Sequence, residues 1–349
     1  MALAALLRHL GFAACLALLS AAVVRLMIAV RVMDTPDERK AHTRPTPKGG
    51  GVGIVAAFLV GVYALYYYAQ YARLADLPFR GVIVASAAIA VVAFLDDLRD
   101  WPFVVKLAAQ VAASVTAVAS GLFISVLRVP YVGPVELGWV GPVLTMAWVL
   151  FATNAMNFID GMNGLAGGVT LVAACFLCGI AAHEGRWFVY FAALLLAAGV
   201  AGFLPFNYPR ARIFMGDVGS QFCGFVLSVL GIAAARFERV DLSFLIVPML
   251  LNGVLYDVAF TLVRRMLAGE RITTPHRTHL YQLAQRTGMP APAVAALHWL
   301  FAAFGGVCCI GFVAAPSPLK PYIPLACLVP QLVWTAYVLV RVRRAGLAI

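Results

Sequence analysis

Apolar runs of about twenty residues recur from one end of the chain to the other, and a run of that length is what one helix needs to cross a bilayer. The spans that fit best lie roughly at 8–30, 51–71, 80–95, 103–126, 138–156, 165–182, 187–206, 219–235, 242–263, 291–315 and 322–340. No long stretch alternates with period two, which argues against an outer-membrane barrel. The chain is 63% hydrophobic and 12% charged, about half the charged share of a soluble domain, so little of it is left to fold in water. The expected fold is all-α: a polytopic integral membrane protein of about eleven transmembrane helices. The first apolar run is longer than the core of a secretion signal and leads straight into a polar loop, so it reads as the first span. One membrane domain over residues 1–349 is expected. Neither a long linker nor the internal repeat of a two-halved transporter is visible.

Successive spans alternate direction, so the loops after the first, third, fifth, seventh and ninth share one side. Together with the C-terminal tail they hold seventeen lysines and arginines, among them Arg31, Lys48, Lys106, Arg264, Arg277 and Arg286. The opposite side holds eight, including Arg8, Arg80, Arg186 and Lys320. Basic loops stay in the cytoplasm, which puts the N-terminus outside and the odd-numbered loops and C-terminus inside. The same rule accounts for most of the net charge of +11. Nucleic-acid binding is not expected, because no soluble domain exists to carry a basic groove. The seven cysteines sit mostly inside apolar runs and read as small buried hydrophobes.

The odd-numbered loops, 31–50, 96–102, 154–164, 207–219 and 264–290, also gather the polar residues that a membrane protein has least reason to keep. Asp96 and Asp97 are adjacent, with Asp100 one helical turn further on. Such a set can supply a general base or hold magnesium directly or through water; a solvated helix end is the plain alternative. Asn154, Asn157, Asp160 and Gly161 recur at helical spacing, followed by Asn163 and Gly164. Amide oxygens suit a hard cation and glycines admit close backbone approach; a polar packing seam between helices would use similar residues. Asp217 lies between Gly216 and Gly219 at the entry to a span, where it could cap the helix or ligate a metal. His276, Arg277 and His279 are bunched beside Pro275 and match phosphate oxygens, although an anchor to anionic lipid needs the same charges. Residues 34–51, with Lys48 near their end, mix cations with turn residues and could fold over phosphates or simply orient the chain. Asp257 lies inside the ninth span, where an acid is a functional candidate or the partner of a neighbouring helix. Carboxylates, amides, glycines and cations at one bilayer surface point to phosphoryl transfer onto a lipid.

These motifs resemble the polyprenyl-phosphate N-acetylhexosamine-1-phosphate transferases. The resemblance runs from Asp34 to Gly288 and rests on Asp34-Thr35-Pro36 through Gly51, Asp96-Asp97-Leu98-Arg99-Asp100, Asn154 through Gly164, and Gly216-Asp217-Val218-Gly219-Ser220. It implies that a cytoplasmic UDP-N-acetylhexosamine, or a related UDP-deoxyaminosugar, gives its sugar 1-phosphate to undecaprenyl phosphate and releases UMP at a bacterial plasma membrane. It implies catalytic roles for Asp96, Asp97 and Asp217, and magnesium held by Asn157 and Asp217, with manganese and a homodimer left open. Substrate contacts are implied for Lys48, Lys106, Asn154, Asp160, Asn163, Gly164, His276, Arg277 and His279. Among these Lys106 would lie near the nucleotide phosphates, Asn163 and Gly164 near the nucleoside, and Arg277 and His279 at the sugar phosphate. The chain departs from the family where many members carry His-x-His-His: here the run is His279-Leu280-Tyr281-Gln282. Asn163 also replaces an acid of the peptidoglycan branch. The histidine run disfavours the pentapeptide substrate of the peptidoglycan enzyme, and the chain resembles the branch that initiates O-antigen or capsule-type glycans. One-step transfer is expected over a phospho-enzyme on Asp96 or Asp97. A transporter or flippase of lipid-linked sugars is the alternative, but it would place polar residues along a path through mid-bilayer. A CDP-alcohol phosphotransferase is disfavoured, because Met162-Asn163-Gly164 follow Asp160-Gly161.

Overall fold

Helices account for almost all regular structure in the computed structural model, which describes residues 3–34, 45–68, 76–99, 101–129, 132–236, 243–271, 274 and 276–347. Asp100, Pro275 and residues 35–44, which belong to the acidic, basic and first polar loops, lie outside the described residues.

In chain order come α1 (Leu3–Val30), a short antiparallel pair β1 (Met33–Asp34) and β2 (Thr46–Pro47), α2 (Gly51–Tyr67), α3 (Leu77–Arg99) and α4 (Phe103–Ala119). A hairpin of β3 (Val126–Val129) and β4 (Gly133–Glu136) follows, then α5 (Val140–Ile159), α6 (Leu165–His183), α7 (Trp187–Asn207) and α8 (Asp217–Arg236). The chain closes with α9 (Ile246–Leu250), α10 (Asn252–Leu267), α11 (Leu280–Arg286), α12 (Ala291–Ala314), α13 (Tyr322–Ala326) and α14 (Val329–Arg344). Among the described residues eight helices, counting α13 and α14 as one, are long and apolar enough to cross a membrane, and α2 and α4 are shorter apolar helices. The protein is a multi-pass, largely helical membrane protein.

Three boundaries differ from the sequence reading. The span expected over 103–126 ends at Ala119, because Gly121 takes φ +97° and turns the chain into the β3–β4 hairpin. The span expected over 242–263 is broken into α9 and α10 at Leu251. At the break the Asn252 amide donates to the carbonyls of Met249 (2.7 Å) and Phe301 (2.9 Å). Its own oxygen accepts from Gln331 Nε2 at 2.6 Å. A broken helix at membrane depth needs such internal partners, since lipid offers none. The last expected span is likewise divided, at Cys327 and Leu328.

The centre of the bundle is α8, the most buried of the long helices, flanked by α2, α3, α5 and α7. Small residues let backbones meet: a Cβ on Gly51 would lie 2.2 Å from the Gly219 Cα. This contact brings the start of α2 against the start of α8 and so draws two loops distant in sequence to one end of the bundle.

Candidate active site

The loop before α8 is clamped from two directions. Gly50 N–H donates to the Phe214 carbonyl (2.9 Å), Gly51 N–H to Met215 O (2.8 Å), and Phe214 N–H to Pro47 O (2.8 Å). Gly216 then takes φ +76°, a conformation that glycine adopts readily, with the Asp97 carboxylate where its side chain would be. Asp97 Oδ2 accepts the Val218 N–H at 3.2 Å. The result projects Asp217 from the first turn of α8, where the helix dipole favours an anion.

Lys106, from the first turn of α4, stands between two carboxylates: its Nζ is 2.9 Å from Asp96 Oδ2 and 3.0 Å from Asp217 Oδ2. Asp96 Oδ1 accepts the Trp101 N–H at 2.9 Å, which ties the α3–α4 turn to the same carboxylate. Lys48 Nζ lies 3.8 Å from Asp97 Oδ1. Asn157 Nδ2 donates to Asp217 Oδ1 (2.9 Å) and to Ser220 Oγ (3.0 Å). These groups surround a cavity of about 470 Å³, which Asp34, Asp160, Asn163, Asn207, Arg277 and Tyr281 also line. Loops after α1, α3, α5, α7 and α10 therefore meet at one end of the helices, as the parity of the spans requires. Asp160 caps α5 and faces this cavity. Burial, then the negative charges of Asp217 and Asp97, push its carboxyl well above the usual carboxylate range.

Of the residues expected from sequence, Asp96, Asp97, Asp217, Lys48, Lys106, Asn157, Asp160, Asn163 and Arg277 line the cavity, and Asn154, Gly164, His276 and His279 do not. Asn154 lies one turn deeper along α5 and donates to Gln110 Oε1 (2.7 Å) and Leu150 O (2.8 Å). Gly164 donates its N–H to Asn207 Oδ1 (2.6 Å) and accepts from Trp299 Nε1 (2.9 Å), so it is a packed corner behind the wall. His276 Nδ1 is 3.1 Å from the Thr278 hydroxyl and its ring lies 4.9 Å from that of His279. His279 is turned inward to Asp257.

Sequence reasoning missed a buried amide chain. Asn154 donates to Gln110, Gln110 Nε2 donates to Gln221 Oε1 (3.0 Å), and Gln221 Nε2 donates to Asp217 Oδ2 (3.2 Å). The available signal was spacing: Gln110 follows Lys106, and Gln221 follows Asp217, by four residues, which is one helical turn.

Among the described residues no group of three or more His, Cys, Asp or Glu side chains is arranged to hold a metal ion. Magnesium does not need one, since it binds through one or two carboxylates and keeps its remaining sites for water and substrate phosphate. Asp217 with the Asn157 amide fits that requirement. The amide presents nitrogen to Asp217 here, and a half-turn about its terminal bond would present oxygen.

Fold and cavity together define a multi-pass membrane protein with a site of carboxylates, amides and lysines at the ends of its helices. Residues 79–235 match the model of glycosyl transferase family 4, a segment that carries Asp96, Asp97, Lys106, Asn157, Asp160 and Asp217. The chain is 30% identical over 269 residues to a probable undecaprenyl-phosphate N-acetylglucosaminyl 1-phosphate transferase of Bacillus subtilis, covering 76% of this chain and 73% of the relative. It is 32% identical over 304 residues to the decaprenyl-phosphate N-acetylglucosaminephosphotransferase of Mycobacterium leprae, covering 79% and 76%. An undecaprenyl-phosphate alpha-N-acetylglucosaminyl 1-phosphate transferase of Thermotoga maritima is 28% identical over 257 residues, 73% of each chain. The chain belongs to glycosyl transferase family 4.

Proposed function

We propose that this protein transfers the sugar 1-phosphate of a UDP-N-acetylhexosamine to a polyprenyl phosphate, undecaprenyl phosphate in a bacterium, and releases UMP. The relatives described above act, by name, on undecaprenyl or decaprenyl phosphate and on N-acetylglucosamine, which makes UDP-N-acetylglucosamine the first donor to test. The observation that carries the reading is the position of Lys106 between Asp96 and Asp217 inside a cavity large enough for a nucleotide sugar.

In this reading a non-bridging oxygen of the lipid phosphate attacks the phosphorus that bears the sugar. A new P–O bond forms there, the bond to the UMP phosphate breaks, and a polyprenyl diphosphate sugar results. Both reactants are anions, so the chain must offset charge as it brings them together. Lys106 and Lys48 supply that counter-charge at the carboxylates, and Arg277 supplies it on the facing wall. Asp96 and Asp97 orient the incoming lipid phosphate from the end of α3. Asp217 and Asn157 would hold magnesium, which supplies charge stabilisation at the transferred phosphoryl group. The transfer is a single displacement at phosphorus. The excess of basic residues in the odd-numbered loops supports a site at the cytoplasmic face of the plasma membrane, and the product would begin a surface glycan of the O-antigen or capsule type.

Purified protein in detergent, supplied with undecaprenyl phosphate, magnesium and a panel of UDP-sugars, tests the reading. Release of UMP together with a lipid-linked sugar, absent when either substrate or the metal is withheld, is the expected result. Asp217→Asn should abolish it with the protein still folded. Failure of every UDP-sugar to yield a lipid product would overturn the assignment, and a trapped radiolabelled phospho-enzyme would overturn the single displacement.

A further inference from the structure

Asp257 is a buried carboxylate in the second turn of α10, and four donors converge on it. Its Oδ1 accepts from Leu280 N–H at 3.0 Å, His279 Nδ1 at 3.1 Å and Thr261 Oγ1 at 3.3 Å, and its Oδ2 accepts from Tyr281 N–H at 2.9 Å. Three of the four belong to one turn, His279-Leu280-Tyr281. A buried carboxylate left without such partners is costly, and removing one partner of a paired set is more costly than the pair is worth. The turn and the carboxylate are therefore held to each other.

The two ends of this turn reach the cavity, and its centre does not. Arg277 on one side, and Tyr281 and Gln282 on the other, line the wall. His279 between them is 4% exposed and lies outside the lining. Tyr281 is fixed again by its hydroxyl, which donates to Phe158 O at 3.0 Å at the end of α5. Gln282 is fixed by its Oε1, which accepts the His279 N–H at 3.2 Å. With an ionised carboxylate as acceptor, Nδ1 of His279 carries the proton.

We propose that Asp257 and His279 form a latch, both of them positioning residues, that sets the wall bearing Arg277, Tyr281 and Gln282 against the nucleotide-sugar cavity. His279 works through its Nδ1–H toward Asp257 rather than through Nε2 toward a phosphate. The proposal deepens the transferase reading and rests on it.

Asparagine and glutamine separate the two nitrogens of the imidazole. An asparagine amide can place an N–H near the Nδ1 position, and a glutamine amide reaches the Nε2 position but leaves the Nδ1 position empty. Steady-state kinetics for the UDP-sugar and for undecaprenyl phosphate, together with thermal shifts on adding UDP, should be measured for wild type, His279→Asn, His279→Gln, His279→Ala and Asp257→Asn. His279→Asn is expected to stay within about threefold of wild type in KM for the UDP-sugar. His279→Gln, His279→Ala and Asp257→Asn should raise that KM about tenfold, weaken the UDP shift in parallel, and leave the KM for undecaprenyl phosphate unchanged. Loss of a group that supports a metal ligand costs about 10- to 100-fold, and the lower end of that range is expected for this latch.

A purely structural role would lower the active fraction, and thus Vmax, in all four variants with KM unmoved; that pattern overturns the proposal. So does the reverse order, with His279→Gln near wild type and His279→Asn impaired, which would place the phosphate contact at Nε2. If the wild-type protein releases no UMP, the transferase reading itself fails. The latch is then still read from the thermal shift on adding UDP, which must stay near wild type in His279→Asn and weaken in His279→Gln; equal shifts in the two variants, or no shift in the wild type, overturn it.

Discussion

Lys106 joins Asp96 of α3 to Asp217 of α8 through a single ammonium group, 2.9 Å from one carboxylate and 3.0 Å from the other. A compact ammonium on a flexible stem sits between two acceptors in this way, whereas arginine presents a larger, planar fork with a different donor geometry. Lys106→Met is therefore expected to lower the rate of UMP release by about 10²–10³, the cost of deleting one preorganised charge-stabilising group. Lys106→Arg should recover little of it. Near-normal turnover in the methionine variant would remove Lys106 from the mechanism.

Gln221 donates to the same Asp217 oxygen that receives Lys106, and it is held in turn by Gln110. Gln221→Leu keeps approximate volume and removes one of the three side chains, with Lys106 and Asn157, that hold the Asp217 carboxylate. A 10- to 100-fold loss of activity, or of apparent magnesium affinity, is the usual result of removing such a supporting hydrogen bond. A magnesium titration of initial rates measures both. Unchanged activation by magnesium and unchanged rate would show that the amide chain merely fills space.

Much of this site is legible in the sequence because a bilayer makes polar residues conspicuous. Asp96, Asp97, Asn157, Asp160 and Asp217 stand at the ends of apolar runs, and the parity of those runs brings their loops to one side. What sequence leaves open is depth and direction. Asn154 shares the helical periodicity of Asn157 but lies one turn too deep to reach the cavity. Gln110 and Gln221 lie within apolar runs and gain meaning only from Asp217 beside them. His279 carries the chemistry of a phosphate ligand, yet its partner is an acid in a different helix, 22 residues earlier. The break at Leu251 escapes hydropathy altogether, because Asn252 of α10 donates to the carbonyls of Met249 in α9 and Phe301 in α12.

Asp160 should give the protein a measurable pH signature. Its folded-state pKa is raised by burial and by Asp217 and Asp97, so the folded state holds a proton that the unfolded state has already lost. Stability then falls as pH rises from the ordinary carboxylate range, near 3.8, toward the raised value, and the full penalty stands above it. Asp160→Asn removes the penalty. Its melting temperature should exceed wild type by more at pH 8 than at pH 5, as measured by thermal unfolding in detergent. An equal difference at both values would show that the carboxyl titrates normally.

Gly219 links folding to chemistry through space alone. A Cβ there would lie 2.3 Å from Met215 Cγ and 2.8 Å from the Gly51 Cα, so the methyl of alanine must push α2 away from α8 or displace the loop before Asp217. Overpacking of this kind costs about 1–3 kcal/mol. The displacement falls on the segment whose Gly51–Met215 and Gly50–Phe214 hydrogen bonds aim Asp217 into the cavity. Gly219→Ala is therefore expected to lose activity out of proportion to its stability, by tenfold or more at a temperature where the variant remains fully folded. Gly231, further along α8, provides the control: its Cβ would meet Val247 side-chain carbons at 3.1 Å, far from the site. Gly231→Ala should leave the specific activity of the folded protein near wild type, whichever way its melting temperature moves. Equal losses of activity in the two variants would mean that α8 transmits any distortion along its length, and that the Gly51–Gly219 contact has no special role in placing Asp217.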